Sequence, residues 1–239
     1  MHDAGLYARS FADVYDMWYS SLDDPAHLVA AVSSRCRPGA MIVELGSGTG
    51  RLATPLHRSG FHVIAIDVAP SMLELAPGGP ERIGADMTEL PLHSTSAELV
   101  IVAYNTLFNL TSRGSQQRCF AEAARILRPG ALFAIEAFIS PASHAEYGIT
   151  IKSHPTDKSR RLAIVTGPSA TDSDVIDGSH VELGRTTTCR PWQLVYQSPA
   201  ELDVLAAASG FELAHRHADW AGSVFDEDGQ RHVSWYKRI

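Results

Sequence analysis

The segment richest in chemistry is Val43-Glu44-Leu45-Gly46-Ser47-Gly48-Thr49-Gly50. Glycines at that spacing let a backbone turn tightly and approach a ligand with no Cβ in the way. Gly46, Gly48 and Gly50 form G-x-G-x-G, whereas a loop that cradles a dinucleotide pyrophosphate needs its third glycine where Arg51 stands. Glu44, just ahead of the loop, is unhelpful near a pyrophosphate and acceptable beside a cationic ligand. Asp67 follows Gly46 by 21 positions, and a carboxylate there can accept both hydroxyls of a ribose. Asp86 and Met87 come next: the acid can accept an adenine amino group and the thioether can cover the ring. Met72 and Met87 read equally well as plain core, whereas helix caps are the lesser reading of Asp67 and Asp86. Taken jointly, these groups suit an adenosyl ligand that lacks phosphates.

The elements that must hold these residues follow from the apolar patterning. Short, nearly continuous apolar runs at 41–45, 61–66, 82–84, 99–104 and 131–138 read as parallel strands covered on both faces. Helical stretches at 51–58, 70–76 and 115–127 alternate with them, which predicts a doubly wound, Rossmann-like α/β sheet. Ahead of it, Tyr7, Phe11, Val14, Tyr15 and Trp18 recur at helical spacing in one amphipathic helix, with a second helix over 25–36. The stretch 140–197 breaks the rhythm. Its β-rich pieces at 149–152, 162–166, 180–183 and 186–196 suggest an antiparallel insertion. Ser198-Pro199-Ala200-Glu201 starts a helix, with a capping serine, a first-turn proline and a glutamate placed for a capping box. Two last strands, 211–217 and 232–237, are joined across Asp226-Glu227-Asp228-Gly229 as an antiparallel hairpin. The expected organisation is one domain over 1–239, with a helical cap over 1–37 and an antiparallel insertion over 140–197.

Composition bounds the partners. The chain has 239 residues and a formal net charge of −7, a balance that disfavours a phosphate backbone, so no nucleic-acid partner is expected. Three dispersed cysteines, Cys36, Cys119 and Cys189, fit neither a disulfide framework nor a zinc site and suit a reducing cytoplasm. No apolar run reaches membrane-spanning length and no signal-peptide pattern opens the chain. The expectation is a cytoplasmic protein with no metal and no membrane partner, a monomer or homodimer.

On these motifs the chain resembles the class I S-adenosylmethionine-dependent methyltransferases, over nearly its whole length. VELGSGTG looks like the family's first motif, Asp67 its ribose-binding acid and Gly84-Ala85-Asp86-Met87 its adenine-contacting segment. The passage ILRPGALFAIEAF looks like the approach to the fifth strand, and SPAELDVLAAASGFEL with VSWYKR like the last helix and the reversed seventh strand. FADVYDMWY and AYNTLFNL are similar to the small-molecule branch that includes amino-sugar N,N-dimethyltransferases and bacterial natural-product N-methyltransferases. The resemblance implies S-adenosyl-L-methionine as cofactor, held by Tyr15, Tyr19, Glu44, Gly46, Ser47, Gly48, Gly50, Asp67, Val68, Met72, Asp86, Met87 and Tyr104. It also implies methyl transfer to nitrogen or oxygen of a small-molecule acceptor in natural-product biosynthesis. A peptide amino-terminal methyltransferase and a non-catalytic adenosyl-binding module are the competing readings.

Methyl transfer from a sulfonium is an in-line displacement, so holding donor and acceptor aligned supplies much of the catalysis. The resemblance implies that Tyr15 and Asn105 border the transfer site and that the insertion over 140–197 covers the active site as a lid; these two and His144, after the fifth strand, are the candidate catalytic residues. His154 is an alternative base. Arg190 and Trp192 could face the acceptor or merely alternate along a strand, Asn109 reads as loop scaffolding, and Glu136 could close the acceptor pocket.

Overall fold

A computed structural model describes residues 5–18, 25–76, 78–139, 148–172 and 174–239. Five parallel strands come first: β1 (Met41–Leu45), β2 (His62–Asp67), β3 (Glu81–Gly84), β4 (Ala97–Val102) and β5 (Leu127–Phe138). A second set follows in β6 (Gly148–Ser153), β7 (Arg161–Pro168), β8 (Ile176–Leu183) and β9 (Thr188–Leu194). The last two strands are β10 (Phe211–His217) and β11 (Arg231–Arg238). The main sheet runs β10-β11-β5-β4-β1-β2-β3, and β11 lies antiparallel between β5 and β10. The expected seven strands with a reversed last strand are thus observed.

Strand interiors of β1, β2 and β4 are buried on both faces, as their continuous Val/Ile/Leu/Ala runs demand. Helices α3 (Pro25–Ser33) and α4 (Ala53–Arg58) cover one face. Helices α6 (Arg113–Ile126) and α7 (Pro199–Ala208) pack against the core cluster of the other. The short α5 (Pro70–Leu75) opens on Pro70 beside the end of β2. Ser198 and Glu201 form the expected reciprocal capping box at α7. Strand order reverses between β1 and β4, so the carboxyl ends of β1, β2 and β4 open a crevice there.

The insertion forms its own antiparallel sheet, β6-β7-β8-β9. Val195 N donates to the carbonyl of Phe108, and the buried Gln116 side chain donates to the carbonyl of Val195, which fastens the chain just past β9 to the turn after β4 and to α6.

One expectation fails at the N-terminus. The single helix is two: α1 (Leu6–Phe11) and α2 (Tyr15–Trp18). The amide of Val14 turns to the carbonyl of Phe11, while the carbonyl of Ser10 accepts from the Arg190 guanidinium on β9. The helix breaks where Val14 N turns from Ser10 to Phe11, and the Arg190 guanidinium occupies the Ser10 carbonyl at that point.

Candidate functional site

The crevice holds a cavity of about 230 Å³. Its floor is the Gly46–Gly48 turn, Asp67 and Val68 after β2, and Tyr104, Asn105 and Thr106 after β4. Met72 and Met87 close one side; Tyr7, Ala8 and Tyr15 of the N-terminal helices, Phe138 of β5, and His180, Trp192 and Leu194 of the second sheet make up the rest. A smaller recess of about 30 Å³ continues past Asp67 and Val68 to Asp86, Met87 and Leu110.

The floor is shaped by backbone conformation. Gly46 and Gly48 lie at φ +68° and +54°. A Cβ on Gly46 would stand 2.1 Å from Thr106 Cγ2, and one on Gly48 would stand 3.4 Å from Met72 Cε. Asp67 ties the loop down: its Oδ2 accepts from Gly48 N at 2.8 Å and its Oδ1 from Ala69 N at 2.9 Å. Burial pushes the Asp67 carboxyl above its usual range while these amides pull it back. Its remaining lone pairs are available to a diol. Asp86 Oδ1 accepts from Thr88 N, leaving its other oxygen at the recess.

Glu44, Ser47 and Gly50, expected to touch the ligand, are absent from the cavity wall. Glu44 is buried beneath the loop and pushed up to about 8 by desolvation, against the pull of Arg51 and the Ala53 amide. Its Oε2 and the Ser47 Oγ are buried with no hydrogen-bond partner.

Tyr104 and Asn105 are consecutive left-handed residues, at φ 51° and 64°, a costly arrangement for non-glycines. Glu136 holds them: its Oε2 accepts from Tyr104 N at 3.1 Å, and its backbone carbonyl accepts from Asn105 N. Trp220 donates to the same carboxylate, which burial pushes up. Glu136 therefore does not close the acceptor pocket; it props the floor from below. Asn105 Oδ1 accepts from Phe138 N at 2.6 Å, so its oxygen is committed to structure and its amide NH2 remains for a ligand.

His154 also departs from expectation. It is buried outside the cavity, with Nε2 at 3.1 Å from Glu182 and Nδ1 facing the amides of Thr156 and Asp157. That Glu182 also binds Arg160 and Arg190, and Arg190 forks onto Asp13. Arg190 is thus a tie between the second sheet and the N-terminal helices, not an acceptor contact. Its strand neighbour Trp192 does reach the cavity. Tyr19 and His144 lie outside the described residues. Among the described residues no cluster of His, Cys, Asp or Glu could hold a metal ion, and no helix is long and apolar enough to cross a membrane.

Sequence reasoning did not single out Thr106, Phe138, His180 or Leu194, and Tyr7 and Asn109 entered it only as packing and scaffolding. Only Tyr7 carried a usable signal, one turn before Phe11 on the stripe that also bears Tyr15; the others depend on how the second sheet lies over the first.

The methyltransferase-domain family model matches residues 43–135, the span from β1 to β5 that builds the floor. The whole chain is similar to the structure of the CcbJ methyltransferase from Streptomyces caelestis, with TM-score 0.85, 27% identity and 99% of each chain covered. Residues 43–135 form a methyltransferase domain. The cypemycin N-terminal methyltransferase of a Streptomyces species is 25% identical over 94% of either chain. In fold the enzyme also matches CalS10, described as a SAM-bound amino pentose methyltransferase from Micromonospora echinaspora, with TM-score 0.68, 20% identity, and 98% of this chain and 96% of that one covered. The cofactor of the methyltransferase is S-adenosyl-L-methionine, and the glycine floor with Asp67 at its edge fits it. The second sheet lies within the region matched to CcbJ and outside the family model's span.

Proposed function

We propose that this methyltransferase methylates the nitrogen of a small-molecule amine. The observation that carries the reading is the character of the cavity's outer wall. Tyr7, Tyr15, Phe138, Trp192 and Leu194 supply rings and aliphatic surface there, and the only histidine among the described lining residues, His180, is held at a pKa of about 4 by burial and by nearby Lys152 and Arg190.

Bound S-adenosylmethionine supplies an electrophilic methyl group on a sulfonium, displaced in line by a lone pair. The Gly46–Gly48 turn, Asp67, Val68, Met72, Asp86 and Met87 are assigned to hold its adenosyl part, with Tyr15 and Tyr104 beside its methionyl part. Ring faces attract a cation by about 0.5–2 kcal/mol, so Tyr7, Tyr15 and Trp192 suit a sulfonium neighbour. An amine attacks only as its free base. An apolar wall favours that form, because desolvation lowers an ammonium's pKa. A hydroxyl acceptor would need a base, and an imidazole titrating near 4 is a poor one at neutral pH. Orienting the two reactants supplies roughly 7–11 kcal/mol of the barrier lowering. The second sheet acts as the lid that sets acceptor shape.

The cypemycin enzyme's name describes an amino terminus as acceptor, which is again an amine and favours a peptide as the second reading. Methyl-labelled S-adenosylmethionine incubated with cyclohexylamine, trans-2-aminocyclohexanol, phenol and tri-alanine separates these. Label on the two amines is expected. Label on phenol alone overturns the nitrogen assignment, and label on tri-alanine alone moves the acceptor to peptides. Tight S-adenosylhomocysteine binding with no transfer to any acceptor favours a binding module.

A further inference from the structure

Resting on the amine reading, one contact in the outer wall points to what else the acceptor carries. Trp192 on β9 is the direct cross-strand partner of Gly178 on β8. A Cβ at 178 would stand 2.1 Å from the indole, so the absence of a side chain there lets the indole lie across β8. In that position Trp192 Nε1 donates to His180 Nδ1 at 2.9 Å. An indole N–H can only donate. The Nδ1 of His180 must therefore accept, and in a neutral ring the proton then sits on Nε2. Phe11 stacks edge-on to the same imidazole, with centroids 5.2 Å apart, which restricts its rotation. Among the described residues, Trp192 is the only side chain that hydrogen-bonds His180, and both line the cavity.

We infer that His180 is a specificity determinant: Trp192 locks it as a neutral Nε2–H donor for an acceptor bearing a hydroxyl, carbonyl or carboxylate oxygen close to its amine. The donor is a single neutral hydrogen bond, which corresponds to about 3- to 10-fold in affinity or selectivity. An acceptor of the same shape without the oxygen leaves the N–H facing apolar surface and binds less well. A base would have to release a lone pair that the indole occupies, so this histidine recognises and does not abstract.

The test uses full-length protein with labelled histidine and bound S-adenosylhomocysteine, read by nitrogen NMR at neutral pH. His180 is expected to show a protonated Nε2 and an accepting Nδ1, with Trp192→Phe mixing the two tautomers. Adding trans-2-aminocyclohexanol is expected to shift the Nε2 resonance more than cyclohexylamine does. A His180 found as imidazolium or with its proton on Nδ1 overturns the inference, as does an Nε2 that answers both amines alike or neither. In label transfer, the preference for the amino alcohol over the plain amine is expected to fall about 3- to 10-fold in His180→Phe and to be partly kept in His180→Gln. Using the ratio cancels any general damage. Transfer to phenol in place of the amines would refute the nitrogen assignment alone, since the tautomer and shift of His180 are read without turnover.

Discussion

Replacing Gly46 with alanine tests whether the floor of the cavity is as tightly built as its geometry requires. Two costs add. The φ of +68° places an L residue in the left-handed region, at about 1–2 kcal/mol. The new Cβ would also meet Thr106 Cγ2 at 2.1 Å, an overlap that moves backbone or side chain at about 1–3 kcal/mol. Gly39→Ala isolates the first cost, because Gly39 has φ +73° and nothing within 4 Å of its built Cβ. Thr106→Ser removes the clashing methyl, so the double variant Gly46→Ala/Thr106→Ser recovers most of the second cost. Thermal unfolding resolves these steps, since about 1 kcal/mol moves the midpoint of a chain this size by roughly 2–4 °C. Calorimetry with S-adenosylhomocysteine adds the functional side: Gly46→Ala pushes Thr106 into the cavity and weakens binding, and the double variant restores it. If Gly46→Ala costs no more than Gly39→Ala, or if the serine restores nothing, the close-approach argument is wrong.

Two further outcomes are expected. Asp67→Asn leaves one oxygen where two accept from Gly48 and Ala69, and removes the charge offered to a diol; S-adenosylhomocysteine affinity measured by calorimetry falls about 10- to 100-fold. Glu44 has its pKa raised in the folded protein to about 8 from 4.5, so between those values the unfolded chain loses a proton that the folded one keeps, and stability falls as pH rises through that window. Denaturant titrations from pH 5 to pH 8 are expected to show a shallower decline for Glu44→Gln than for the parent; equal slopes would mean that Glu44 does not titrate as its burial requires.

The strands and turns that form the cavity floor were legible because their signals are local. A glycine loop after one apolar run, and acids after the next two, are properties of neighbouring residues, and β1 to β4 came within about two residues of their expected bounds. The acceptor half was not. At the break between α1 and α2 the Ser10 carbonyl is held by Arg190, 180 positions away. His154 looked like a loop base until Glu182 and Trp18 enclosed it. His180 gains its meaning only from a cross-strand register that pairs Gly178 with Trp192. Glu136 was read as closing the acceptor pocket; its task of propping two left-handed residues depends on β4 and β5 lying side by side.

The Arg190 bridge has a consequence for transplanting substrate range between enzymes of this shape. The second sheet enters and leaves the chain between β5 and α7, which makes it look like a cassette that could be exchanged whole. Yet Arg190 on that sheet holds Asp13 and the Ser10 carbonyl, and its departure would free the turn that aims Tyr15. A graft of the sheet alone would carry a lock without its key. The N-terminal helices and the second sheet form the exchangeable unit together, although the chain runs from Trp18 through β1 to β5 before it reaches Gly148.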